Sequence, residues 1–257
     1  MRYGLIGGVV AGVAVAAAGL AHAGGTYGVS AQGSTVIPSG PNGSNSNSAQ
    51  TGPVSAFVRS DDIIGLNTWS IASATAEMGT LRSYGFSNGG VTGLVQNAAG
   101  IATWFDQIYI DTPGTVLVTY TFQFDGYLEQ SLPGPFSPQS VGLLQCFTDG
   151  VGRFTNEVQG VGSRFVNRTA TFGPFAVTGQ QATPVLFRLT AYVNGRGTAD
   201  FSSTAQYTGC ITTDELGNEI TPTITADSGF DYRNIPAPGA AGLAAVWGLL
   251  ATRRRRA

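Results

Sequence analysis

The sequence predicts an all-β protein, a single antiparallel β-sandwich of jelly-roll-like form, set between an N-terminal signal peptide and a short C-terminal hydrophobic helix. Three observations carry this. Apolar and polar residues alternate in many short segments, the period of a half-buried strand. No stretch between residues 55 and 232 repeats at a helical period. Glycine-rich turns punctuate about 180 residues of such segments, the spacing of one sandwich rather than of two domains.

Taken in order, residues 1–23 read as the signal peptide. Arg2 supplies a positive start, Leu5 to Leu20 form a weakly apolar run, and Ala21-His22-Ala23 matches the small-x-small cleavage pattern, with Ala21 and Ala23 at its key positions. Nine of the residues from Gly7 to Gly19 are Ala or Gly, too small to fill a core as a buried helix would. Residues 24–54 are rich in Gly, Ser and Asn, and their composition predicts a flexible arm or an irregular edge segment.

The sandwich is expected over residues 55–234. In Ile71–Arg82, Ala72, Ala74, Ala76 and Met78 share one face; in Thr115–Asp125, Val116, Val118, Tyr120, Phe122 and Phe124 do. Val185, Phe187, Leu189, Ala191 and Val193 lead to Asn194-Gly195-Arg196-Gly197, and Ala199, Phe201, Ala205 and Tyr207 follow, a pattern that predicts a hairpin. A second reversal is expected at Asp214–Asn218, between strands near Cys210–Thr213 and Glu219–Thr225. Further strands are predicted at Ile101–Ile110, Val141–Phe147, Arg153–Val158 and Thr169–Val177.

Residues 235–257 have three parts in fixed order. Ile235-Pro236-Ala237-Pro238-Gly239 is extended and continues neither helix nor strand. Ala240 to Thr252 is uncharged, and Arg253, Arg254, Arg255 and Arg256 close the tail. A helix from Gly239 to Thr252 would span about 21 Å at ~1.5 Å per residue, short of a ~30 Å hydrocarbon core. The arginines would stay on the cytoplasmic side. A short apolar stretch held by a basic stop suits a segment that is recognised in the membrane and then removed; a plain basic-flanked anchor is the simpler alternative.

Pro236-Ala237-Pro238-Gly239, the apolar run and Arg253–Arg256 together resemble the PEP-CTERM sorting domain of exported bacterial proteins, over about 22 residues. The chain departs from that pattern at Ala237, where the family name implies glutamate; Pro-Ala-Pro-Gly resembles a variant form of the signal. The segments Gly197–Ala205, Leu216–Glu219 and Ser228–Tyr232 also resemble stretches of such ectodomains. The resemblance implies signal peptidase and an exosortase-like processing enzyme as partners, transient contact with the inner membrane, and a cell-surface or matrix destination beside exopolysaccharide.

Composition restricts the chemistry. The chain has no lysine, and its only histidine is His22, inside the expected signal peptide. A mature chain from Gly24 to Pro238 would hold eight arginines against fifteen acidic residues, a formal charge of −7. That balance disfavours nucleic acid, and the lack of His and Lys excludes Ser-His-Asp, Cys-His and Schiff-base mechanisms. Cys146 and Cys210 read either as a disulfide, closing a loop of about 65 residues worth ~3–4 kcal/mol, or as two separate buried thiols. They cannot form a typical zinc site without histidine, and no cofactor motif is present.

Asp61-Asp62, Asp214-Glu215 and Asp227 with Asp231 are the acidic groupings, read first as turn and edge residues. Calcium near Asp214, Asn218 and Glu219, or near Asp227 and Asp231, is a weaker reading. Phe122, Phe124, Phe187 and Phe201 are expected in the core, whereas Trp69, Trp104 and Tyr192 could face either way. The expected function is therefore non-enzymatic, a structural or adhesive envelope protein. The alternatives are a carbohydrate-binding module, marked by an exposed aromatic row, and a carboxylate glycosidase, marked by paired acids in a cleft.

Overall fold

A computed structural model describes residues 26–37, 42–61, 68–89, 96–132 and 139–233. The cleavage positions Ala21 and Ala23 and the tail residues Pro236–Gly239 and Arg253–Arg256 lie outside them. Among the described residues there is no helix. The strands are β1 (Gly28–Val36), β2 (Gly43–Ala49), β3 (Val54–Asp61), β4 (Trp69–Glu77), β5 (Thr80–Asn88), β6 (Asn97–Ile110) and β7 (Thr115–Leu132). Then follow β8 (Gln139–Thr148), β9 (Val151–Gln159), β10 (Gly162–Thr178), β11 (Thr183–Asn194), β12 (Arg196–Thr213), β13 (Glu219–Ile220) and β14 (Ile224–Ala226).

They form two antiparallel sheets in a sandwich-like all-β fold. The first runs β2-β1-β6-β11-β8-β9, with β14 beside β6; the second runs β10-β7-β12-β5-β4-β3, with β13 beside β12. The pairs β8/β9, β7/β10, β6/β11 and β5/β12 are nested in sequence and alternate between the sheets. The middle of the chain is thus a long hairpin rolled up on itself.

Alternation explains the core. Val116, Val118, Tyr120, Phe122 and Phe124 of β7 are fully buried, as are Phe187 and Leu189 of β11 and Phe201 and Tyr207 of β12. Their rings meet between the sheets: Phe187 lies 5.0 Å from Phe122 and 5.2 Å from Tyr120, and Phe124 stacks on Phe201 at 4.7 Å. At the other end of the sandwich the inward residues shrink to Ala72, Ala74, Ala76, Ala98 and Ala102. There the backbones nearly touch, for a Cβ on Gly100 would lie 2.2 Å from the carbonyl oxygen of Ser73. The core is therefore a wedge, thick with aromatics at one end and thin with alanine and glycine at the other.

Several expectations need correction. Asn194–Gly197 is not a hairpin turn: β11 pairs with β6 and β8, while β12 pairs with β5 and β7. The chain crosses the core at Gly195 (φ 88°), so the two alternating apolar faces oppose each other instead of lying side by side. Residues 24–54 are not simply an arm, because they supply β1 and β2, and β1 is held by β6 over nine register pairs. Ile71–Arg82 divides at Met78-Gly79, where Gly79 takes φ 80° and β4 turns into β5. Glu219–Thr225 divides between β13 in one sheet and β14 in the other.

Cys146 and Cys210 are free thiols, not a disulfide. Cys146 sits on β8 opposite Phe187, and Cys210 on β12 opposite Tyr120, in different sheets. Cys146 is fully buried and Cys210 half-buried. Burial pushes both thiols up, which keeps them protonated and unreactive.

Candidate binding face and C-terminal clasp

Two constellations stand out, one outside the second sheet and one at the end of the core. The outer one begins with register. Phe165, Tyr127, Asp200, Tyr84, Ser73 and Phe57 are successive partners across β10, β7, β12, β5, β4 and β3. Register partners point the same way, and their chain neighbours Val166, Leu128, Phe201, Ser83, Ala72 and Ala56 point inward. Four aromatic rings therefore lie in one outward row, about 24 Å long over five strand spacings. Its ends are the most open, with Phe165 83% and Phe57 57% exposed.

Further along the strands, two residues from Tyr84 and four from Ser73, Phe86 and Trp69 extend this surface, their rings 4.6 Å apart. Arg59 stands 4.9 Å over Trp69 and is held there by Asp61, with a 2.7 Å ion pair. That pair keeps the Asp61 carboxyl below its ordinary value. Burial, with Asp200 alongside, pushes the Tyr84 phenol up.

At the β7–β10 end the face deepens into an open groove of about 670 Å³, lined by Asp125, Tyr127, Phe165, Asn167, Asp200 and Ser203 among others. The Phe165 and Tyr127 rings are 5.0 Å apart. Gln123 Nε2 donates to Asp125 Oδ1 at 2.9 Å and to Asn167 Oδ1 at 3.2 Å. Ser202 N and Oγ donate to Asp200 Oδ1 at 2.9 and 2.5 Å. The groove's shape comes from β12: between Asp200 and Thr204 its register against β7 shifts, so the Gly197–Ala205 segment bulges beside Tyr127.

The second constellation centres on Asp106, a carboxylate that sequence reasoning passed over inside the Ile101–Ile110 strand. It is 1% exposed and faces the core beside Trp104. Its Oδ1 accepts from Gln107 N at 2.9 Å and Ser228 N at 3.2 Å; its Oδ2 accepts from Ser228 Oγ and from Tyr232 OH at 3.2 Å. Tyr207 OH donates to the Tyr232 carbonyl at 2.9 Å. Phe230 and Tyr232 then pack on Trp104 at 4.8 and 5.6 Å. The Ser228–Tyr232 segment is thus a clasp that stoppers the aromatic end of the core immediately before the tail.

Burial raises the Asp106 carboxyl despite these donors. A raised acid binds its proton more firmly in the folded chain than in the unfolded one. Its contribution is therefore full below the unfolded value near 3.8 and is lost as pH rises through the folded value. We expect the stability of wild type relative to Asp106→Asn to fall over that window and then level off. Urea midpoints measured across acid pH check this, and parallel curves would refute it.

Among the other acidic groupings, the Asp214 and Asp231 carboxylates hold local turns. Asp214 accepts from Leu216 N, Asn218 N and Asn218 Nδ2 at 2.8–2.9 Å, which builds the turn into β13 and lowers its carboxyl. Asp231 caps Arg233 N at 2.9 Å, and Asp227 N donates to the Gln107 carbonyl at 3.0 Å. No group of three His, Cys, Asp or Glu is placed to hold a metal ion among the described residues; Asp62 lies outside them. Trp104 is a core residue, while Trp69 and Tyr192 are half-buried. No protein-family model and no curated protein sequence matches the chain.

Proposed function

We propose that the protein is an exported cell-envelope or extracellular-matrix protein with a structural, adhesive role, which holds exopolysaccharide on the outer face of its second sheet. The observation that carries this is the aromatic row Phe165–Tyr127–Tyr84–Phe57. Apolar ring faces turned to solvent suit the C–H faces of pyranose rings, and polar groups between them suit the hydroxyls. The row joins the marker of a carbohydrate-binding module to the envelope role expected from the tail.

Jelly-roll-like topology fits the nested pairing, which gives the four-strand orders β6-β11-β8-β9 and β5-β12-β7-β10. The non-enzymatic reading draws support from the groove. Asp125 and Asp200 are half-exposed on an open surface, whereas a glycosidase acid works from a water-excluded wall.

Export and sorting rest on Ala21-His22-Ala23, Pro236–Gly239 and Arg253–Arg256. Mass spectrometry of the surface form should find termini near Gly24 and Pro238, and a mature chain ending at Ala257 would refute processing. For adhesion, a glycan array probed with the purified protein should give polysaccharide binding that a Tyr127→Ala/Phe165→Ala variant loses by about tenfold or more, the scale of two stacking contacts. Because Phe165 is 83% exposed, its removal spares the core. Undiminished binding by that variant would overturn the assignment of this face.

A further inference from the structure

We infer that the Tyr127–Phe165 groove selects uncharged pyranose polymers and rejects polyuronates, an inference that rests on the adhesive reading above. The groove couples a stacked ring pair to a polar rim of one sign. Tyr127 and Phe165 form its apolar wall at 5.0 Å. Asp125 and Asp200 stand on either side of Tyr127, on β7 itself and at the register position opposite on β12. No arginine lines the groove among the described residues.

The outward arginines of this face are placed elsewhere. Arg59 is bound to Asp61 over Trp69, Arg82 lies on β5 before Tyr84, and Arg196 opens β12 opposite Asn88. At the β9–β10 edge Arg164 and Arg168 point to the inner side, where both pair with Glu157 at 2.6 and 2.8 Å. A sugar carboxylate stacked on Phe165 would meet two carboxylates and no partner cation. Such unpaired like-charge contact is the repulsive element from which specificity is built.

Hydroxyls face the opposite situation. Each can donate to the carboxylates, and hydrogen bonds to ionised acceptors are the stronger kind. The side-chain amide of Asn167 and the Ser203 hydroxyl add donors and acceptors along the same rim. From β7 to β5, Tyr127 and Tyr84 are separated by two strand spacings, ~10 Å, with Asp200 between them. An extended glycan crossing the strands would then stack on Tyr127 and Tyr84 while its hydroxyls meet Asp200.

The test is calorimetric titration of the full-length protein with a soluble uncharged β-glucan and with polygalacturonate, in chelator and at low salt. Wild type should bind the glucan and show at least about tenfold weaker binding to polygalacturonate. In Asp125→Asn/Asp200→Asn the polygalacturonate-to-glucan affinity ratio should rise by about tenfold, and that gain should shrink with added salt. Equal or preferential polygalacturonate binding by wild type, or an unchanged ratio in the variant, would overturn the selectivity and leave the adhesive reading standing. Failure of wild type to bind either polymer would sink both.

Discussion

Trp104→Ala should lower stability by about 3–5 kcal/mol, the usual range for emptying a buried tryptophan site. Trp104 is fully buried at the meeting point of four elements. Its ring touches Phe187 of β11 at 4.7 Å, Tyr207 of β12 at 5.7 Å, and Phe230 and Tyr232 of the C-terminal clasp. Neither sheet can relax into the space, because each supplies only part of the wall. In a domain of this size the loss corresponds to a melting temperature lower by on the order of 10 °C. Trp104→Phe should recover most of it, since the indole Nε1 has no hydrogen-bond partner among the described residues. Thermal unfolding followed by near-ultraviolet circular dichroism measures both variants. An alanine variant that melts with wild type would show that the cluster is not where the sheets are held.

At the thin end of the wedge the expected failure has the opposite cause. Gly100→Val adds atoms where a Cβ alone would stand 2.2 Å from Ser73 O, 2.7 Å from Tyr84 O and 2.8 Å from Ser83 Oγ. Two of these are backbone atoms of β4 and β5, so no side-chain rotation makes room. Overpacking typically costs ~1–3 kcal/mol; separating two sheets should exceed this, so the variant should be recovered mostly unfolded or aggregated. Gly114, with no atom within 4 Å of an added Cβ but φ 87°, offers a comparison in which only local strain is introduced. Equal solubility and urea midpoints for wild type and Gly100→Val would overturn this account of the thin end.

The core was readable because alternation states which residues share a face. Tyr120, Phe122, Phe124, Phe187 and Phe201 are buried as their pattern implied. Alternation is silent about which strands pair. The Val185–Val193 and Ala199–Tyr207 segments carry the same pattern whether they form a hairpin or face each other across a core, and the second arrangement is found. Trp104 was ambiguous because β6 buries Ala98 through Trp104 on both faces.

The aromatic row is illegible for a related reason. Tyr84, Tyr127 and Phe165 sit at the polar positions of their strands, but only the register of six strands brings them into line. Asp106 had a faint signal, a lone acid in the apolar run Ile101–Ile110. Its partners lie 122 and 126 residues away and follow no motif.

Those separations bear on how the molecule is made. Ser228 follows Asp106 by 122 residues, yet its segment completes the cluster around Trp104. Contacts so distant in sequence close slowly, after the loops between them have been ordered. A chain that lacks Phe230 and Tyr232 leaves one side of the indole uncovered. Closure of that end waits on the clasp, so the Trp104 cluster is completed late in folding.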